Sequence, residues 1–394
     1  MAGISWNSPR ASVDAAASRP SPKGGRLPLL DVLRGVAILG TLMTNVWIFA
    51  TPGSEWAFLQ GVPMADPFDE PVEALFRFLA DGKFLALLTI LFGVGLAIQY
   101  DSAQRHGTPW PRGYRPRALF LFAEGTLHFV LVFGFDVLMG YAVTALLVAR
   151  LLVRSARLRR VLMWTSVSLH VALTSLITSA LLADDSGPGR LSAESVDLYA
   201  RGSWPDQIGF RLENAVAMRL EPVISFGLLV FLFLLGVRLY RAGTFSPTAR
   251  GRRLRARMAL WGLGLPFNAA LTLGGEDFFF LGRYVAAPVV ALGYLGLIGV
   301  VLDRGRLPAP VATGLSSVGR TALSSYVIQN VLCMLLCYGV GLGLTERFGP
   351  DAGPWWVMGM WALICGFLIA GATLWLRRFS HGPLESVQRW ALRR

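Results

Sequence analysis

The stretch Arg26–Ala50, RLPLLDVLRGVAILGTLMTNVWIFA, is apolar and long enough to cross a bilayer, yet it carries Asp31 and Arg34 near its first end and Asn45 near its other. A charged side chain in hydrocarbon costs roughly 2.5–3.5 kcal/mol or more, so such residues face a protein interior or a wet cavity. Asp31 and Arg34 are three apart, share a helix face and can pair with each other. Their grouping with Asn45 makes this helix the first place to look for a site.

The rest of the chain has the same character. Of 394 residues 54% are hydrophobic and 15% charged, and the mean hydropathy is +0.52. This is the composition of an all-α polytopic membrane protein, since helices and closed barrels alone satisfy the backbone in lipid. About ten stretches approach the ~20 apolar residues a spanning helix needs: 29–50, 82–100, 118–134, 136–153, 161–183, 223–240, 256–273, 283–302, 321–343 and 355–376. The third and fourth, separated by Gly134 and Phe135, read as a tight helical hairpin.

The net charge of +13 follows this layout. With ten spans and both termini cytoplasmic, the inside segments hold 28 Lys/Arg and four acidic residues, against seven and seventeen outside. Such asymmetry orients membrane proteins and draws the basic face to anionic lipid. The basic loops have few aromatics, so the charge points to the lipid bilayer and not to nucleic acid. Residues 1–25 read as a disordered cytoplasmic tail without the apolar core of a signal peptide. Residues 26–380 read as one transmembrane helical domain with an outside segment at 184–222, and 381–394 as a cytoplasmic amphipathic tail.

Several polar residues sit inside the apolar stretches. Glu124 and His128 are four apart on one face of span three. A carboxylate that fixes an imidazole tautomer makes a general base; a buried pair satisfying each other as structural glue has the same spacing. Asp136 opens span four, where it can cap that helix or face a substrate. Arg283 begins span eight, and Arg320 the ninth. Ser324, Ser325, Tyr326, Gln329 and Asn330 make the first half of span nine polar, which suits either helix-to-helix hydrogen bonds or a cavity lining. Cys333, Cys337 and Cys365 lie in apolar stretches and suit packing. With four histidines in all, a multi-histidine metal site is not expected. The chain has no dinucleotide fingerprint, phosphate-binding loop or His-Glu-x-x-His motif.

The motifs have a familiar order. LDVLRGVAILGTLMTN, KFLALLTILFGVG, an Arg-rich lead into a helix with GTLH, then DVLMGYA, GRTALSSYVIQN and GPLE resemble, from about Leu29 to Arg389, the YeiB-like family of bacterial inner-membrane proteins. That family is distantly similar to transmembrane acyltransferases, the acyltransferase-3 enzymes and heparan-glucosaminide N-acetyltransferase among them. The shared pattern is an Asp, an Arg-Gly pair and a polar residue eleven positions after the Arg, here Asp31, Arg34-Gly35 and Asn45. Where acyltransferase-3 enzymes place an essential histidine this chain has Asn45. The family's histidine at the end of its span-three motif is matched by His128, and the Gly-Asp-Ile-Leu pattern that follows is matched only in part, by Phe135-Asp136-Val137-Leu138, with Phe135 in place of the Gly. Glu124 is not part of that pattern.

The resemblance implies transfer of an acyl group from a cytoplasmic donor such as acyl-CoA, a co-substrate and not a bound cofactor, to an extracytoplasmic glycan or glycolipid acceptor. In that reading His128, Asp136, Glu124 and Asn45 are catalytic, and Asp31, Arg34 and Arg320 hold the donor. Arg283, Tyr326, Gln329 and Asn330 then face the acceptor. A permease for a small organic solute and a non-catalytic envelope-assembly protein are the alternatives, and a homo-oligomer suits all three.

Overall fold

The computed structural model describes residues 27–61, 68–184, 189–260, 264–349 and 352–392. The expected tail at 1–25 lies outside them. Helix α1 (Pro28–Ala50) has Pro28 at its first position and Asp31 in its first turn, a proline and an anion where a helix start favours both. It is central: it packs against α17 (Ala309–Arg320), α4 (Lys83–Arg105), α18 (Ala322–Cys337) and α20 (Trp355–Arg378). The α1–α17 contact is close because Gly35 and Gly319 face backbone there: a Cβ on Gly35 would strike the Leu315 carbonyl, and one on Gly319 the Asp31 carbonyl. Small residues permit such approach between helices in lipid.

After α1 come the short α2 (Ser54–Leu59) and the amphipathic α3 (Pro71–Ala80), which leads into α4. The hairpin anticipated from the sequence is α5 (Arg115–Leu131) and α6 (Leu138–Leu152), with its turn at 132–137. The long α7 (Ala156–Leu182) exposes most of its surface. The next segment folds into α8 (Ala193–Ala200), α9 (Trp204–Glu213), α10 (Ala215–Met218) and α11 (Leu220–Ile224). A Ser203–Asp206 capping box starts α9. Then α12 (Phe226–Arg241) packs on α4 and α7, and α13 (Ala249–Ala259) on α16 (Ala287–Asp303). Between them run α14 (Leu265–Leu273), the single turn α15 (Phe279–Leu281) and a π-helical turn at 282–286. After α18 come α19 (Leu344–Phe348), α20 and a final amphipathic α21 (Pro383–Ala391).

The fold is all-α and membrane-spanning, but ten spans is an overcount. Among the described residues five helices are long and apolar enough to cross a membrane: Pro28–Ala50, Pro71–Arg105, Ala156–Leu182, Glu276–Asp303 and Trp355–Arg378. A sixth results if α17 and α18, bent by 89° at Thr321, form one broken span. The other apolar stretches make helices too short: α5 has 17 residues, α6 15 and α12 16, and in the 256–273 stretch the described residues hold only the end of the 11-residue α13 and the nine-residue α14. At ~1.5 Å per residue, α5 reaches about 25 Å, short of a ~30 Å hydrocarbon core. Apolar runs of this length are buried by neighbouring helices as readily as by lipid, and hydropathy alone does not separate the two. The placement of both termini in the cytoplasm rested on ten alternating loops and falls with that count.

Candidate functional site

Four side chains from four elements form one hydrogen-bonded chain. Asn45 Nδ2 of α1 donates to Asn330 Oδ1 of α18 (3.1 Å). Asn330 Nδ2 meets His128 Nε2 of α5 (3.2 Å), and His128 Nδ1 meets Asp136 Oδ2 of the hairpin turn (3.0 Å). With the Asn330 amide nitrogen toward the ring, a neutral imidazole protonated on Nδ1 satisfies every contact. The other Asp136 oxygen accepts the backbone N–H groups of Leu138 (2.9 Å) and Met139 (3.3 Å), so it holds the start of α6 and the histidine together. Asp136, Asn330 and His128 are all buried.

Tyr326, one helical turn before Asn330, holds its ring 5.2 Å from that of His128, tilted by 45°. It also lines two clefts. One, of about 1050 Å³, opens at the end of the molecule that holds Arg34, Arg117 and Arg320. The other, of about 750 Å³, is lined by Thr44, Asn45, Arg77, Asp81, Glu221 and Arg283 at the far end of α1. His128 lies behind Tyr326, buried, and is not itself a wall of either.

In the Arg-rich cleft Arg34 pairs with Asp31 at 3.6 Å, as their spacing anticipated. Arg320 reaches the Ser380 carbonyl (3.5 Å). The end of α18 here is capped by Glu385 of α21, which accepts from Leu323 N (2.9 Å), Ser324 N (3.4 Å) and the Ser324 hydroxyl (2.6 Å). In the Asn45 cleft Arg283 bridges Asp81 (3.8 Å) and Glu221 (3.6 Å), and the Tyr284 hydroxyl donates to Glu221 (2.5 Å).

A second buried cluster lies beyond the hairpin turn. Glu55 of α2 and Arg211 of α9, both fully buried, pair at 2.9 Å. Glu55 also accepts from the Ser54 hydroxyl (2.7 Å), the Tyr338 hydroxyl (3.0 Å) and Gly134 N (3.4 Å), and Ser54 contacts Tyr338. Burial works to raise the Glu55 carboxyl, but the Arg211 guanidinium and the Ser54 hydroxyl outweigh it and hold it below the ordinary carboxylate range. The same segment clamps the turn that carries Asp136. Trp204 donates to Leu131 O (2.8 Å), Arg211 to Val130 O (3.2 Å) and Arg219 to Asp136 O (2.8 Å).

The structure therefore brings together His128, Asp136, Asn45, Asn330 and Tyr326. It does not bond Glu124 to His128, the pairing that spacing suggests: Glu124 lies one helical turn away on α5, and the two imidazole nitrogens are taken by Asp136 and Asn330. Gln329 is buried beside Asn330 but outside the chain of bonds, its amide atoms without a hydrogen-bond partner among the described residues. Arg117, Glu385, Glu55, Arg211, Arg219, Asp81 and Glu221 were not anticipated. They sit in loops or amphipathic pieces where a charge normally means a solvated face, and only tertiary contact distinguishes them.

A family profile described as "Protein of unknown function (DUF418)" matches residues 239–394, which include Arg283, Tyr326, Asn330 and Glu385. The chain is 26% identical to "Uncharacterized protein YxaH" of Bacillus subtilis (strain 168) over 402 residues, 95% of this chain and 96% of the relative. It is 28% identical to "Uncharacterized protein YeiB" of Escherichia coli (strain K12) over 377 residues, 90% and 93% of the two chains. A 39.9 kDa protein from the amylase 3' region of Bacillus acidopullulyticus is 24% identical over 368 residues, 92% of this chain and 93% of that one. The chain is thus a multi-pass membrane protein, similar over nearly its whole length to YxaH and YeiB and, across residues 239–394, to the DUF418 profile.

Proposed function

We propose that this protein transfers an acyl group across a bacterial inner membrane, from a thioester donor such as acyl-CoA to a hydroxyl or amine of a glycan or glycolipid acceptor. One observation carries the reading: two clefts from opposite ends of α1 share Tyr326, and a histidine–carboxylate pair lies directly behind it. In this reading the cleft with Arg34, Arg117 and Arg320 is the donor's. Its guanidinium groups suit phosphate. The span-one likeness to transmembrane acyltransferases supports the same assignment.

In this mechanism the acceptor enters the Asn45 cleft. The Asn330 amide turns from the ring, Tyr326 swings aside, and His128 Nε2 takes the acceptor proton as the new bond to the acyl carbon forms. Asp136 stabilises the imidazolium, and the Asn45 amide donates to the developing oxyanion. The C–S bond breaks and the thiolate leaves on the donor side. The test is acyl-CoA turnover by protein in nanodiscs: His128→Ala should keep CoA binding and lose turnover, and a wild-type rate in that variant would overturn the mechanism.

One feature favours transport as the second reading. The 89° break between α17 and α18 beside Arg320 is a discontinuous helix of the kind that lines solute sites in transporters. Solute uptake into liposomes without any CoA ester would select it.

A further inference from the structure

Three carboxyl groups lie buried near the hairpin of α5 and α6, and two are fully engaged. Asp136 is held by His128 and two backbone N–H groups, and Glu55 by Arg211, Ser54, Tyr338 and Gly134. Glu124 is not: both its carboxyl oxygens are buried, with no hydrogen-bond partner among the described residues. A structural carboxylate is held by donors or cations. One that has neither avoids the cost of a buried charge by carrying a proton.

Its position on α5 matters as much. Arg117, Leu121, Glu124 and His128 follow one another at spacings of four, three and four, which keeps them on one helix face. Arg117 and Leu121 line the Arg-rich cleft, and His128 belongs to the buried relay. Glu124 is thus between them, about 6 Å along the axis from His128 and about 4.5 Å from Leu121 at ~1.5 Å per residue. The charged groups of other elements that act on it are the carboxylates of Asp136 and Glu385. On its own helix face it has Arg117 and His128. Arg211 of α9 is engaged by Glu55.

We propose that Glu124 carries a proton between His128 and the Arg-rich cleft. This rests on the acyl-transfer reading. As the C–S bond of the thioester breaks, the Glu124 carboxyl gives its proton to the leaving thiolate. The resulting carboxylate is recharged from the His128 imidazolium, which holds the proton taken from the acceptor. Acceptor and thioester become ester or amide and free thiol. One C–S bond is broken and one C–O or C–N bond formed, and no oxidant is needed. Glu124 acts on the donor sulfur and His128 on the acceptor, so each end of the reaction has its own acid or base.

The experiment compares wild type, Glu124→Gln, Glu124→Asp and His128→Asn in nanodiscs by three measurements: CoA binding, acyl-CoA turnover against pH, and infrared detection of a protonated carboxyl. Glu124→Gln should bind CoA within twofold of wild type, lose turnover at least tenfold and lack one carboxyl C=O band. Glu124→Asp should recover part of the rate. His128→Asn should shift the pH at which that band titrates. Wild-type turnover and pH profile in Glu124→Gln would overturn the proposal, as would a band unaffected by Glu124→Gln. If wild type turns over no acyl-CoA, the acyl-transfer reading fails. The band then decides separately: a Glu124 band that responds to His128→Asn supports proton exchange between the two residues, and one that does not ends it.

Discussion

His128 and Asp136 are joined at 3.0 Å across the turn between α5 and α6, and the same carboxylate caps α6 through Leu138 and Met139. One side chain therefore sets both the local backbone and the imidazole tautomer. Asp136→Asn keeps an oxygen for the α6 backbone but cannot stabilise an imidazolium. It should leave the unfolding midpoint within a few degrees of wild type and lower turnover by about 10²–10⁴-fold, the range of a lost acid–base contribution. Asp136→Ala should in addition lose about 1 kcal/mol from the uncapped helix. Equal turnover in wild type and Asp136→Asn would remove Asp136 from the chemistry.

The Glu55–Arg211 pair ties α9 to α2 beside that turn, with neither group exposed. Breaking a buried pair strands one charge, so Arg211→Met or Glu55→Gln should each destabilise by about 3–5 kcal/mol, whereas replacing both with apolar residues should cost far less. Denaturant unfolding in detergent compares the three. The pH dependence has a definite sign. Because the Glu55 carboxyl is held below its ordinary range, the pair's contribution is complete at neutral pH and disappears as pH falls below that range and the carboxylate is protonated. Hydrogen exchange at 130–136 should accelerate only in that acid window. Acceleration at neutral pH would contradict the pairing.

Helices α4 and α12 meet through glycine. A Cβ on Gly93 would strike the Phe233 carbonyl, and one on Gly236 the Ile90 carbonyl. Both obstacles are backbone, so neither yields to a rotamer change. Gly93→Ala and Gly236→Ala should each lower the yield of monodisperse protein and the unfolding temperature, while alanine at Gly371 of α20, with nothing within 4 Å, should be neutral. Equal behaviour of all three would mean the α4–α12 contact is looser than described.

What the sequence made legible follows from range. Asp31 and Arg34 are three apart on one helix, and their pairing was readable from spacing because helical geometry fixes it. His128 and Asp136 were both singled out, but as separate features: eight residues with a turn between them have no fixed geometry, so the bond that joins them needed the fold. The same limit misled the Glu124–His128 pairing, where spacing placed two groups on one face and long-range partners decided otherwise. Asn45 and Asn330, 285 positions apart, and Glu55 and Arg211, 156 apart, had no local signal at all. The span count failed for a related reason. An apolar run records that a helix is covered and not by what, and α6 and α12 are covered in large part by other helices.

Tyr326 is the partition between the two clefts, and it separates the acyl-transfer reading from the transport reading. A Tyr326→Phe change removes only the hydroxyl and keeps the ring 5.2 Å from His128, so the partition remains and turnover should fall by less than tenfold. Tyr326→Ala removes the wall. For an acyltransferase this lets solvent reach the imidazole and the thioester, so donor hydrolysis without acceptor should rise while transfer to acceptor falls, because excluding water protects the reacting group. For a transporter it joins the two paths, and the variant should leak its solute down a gradient without coupling. Measuring acyl-CoA hydrolysis and liposome leak on the same preparation decides between them. If Tyr326→Ala changes neither, Tyr326 does not divide a working path, and the meeting of the two clefts has no bearing on function.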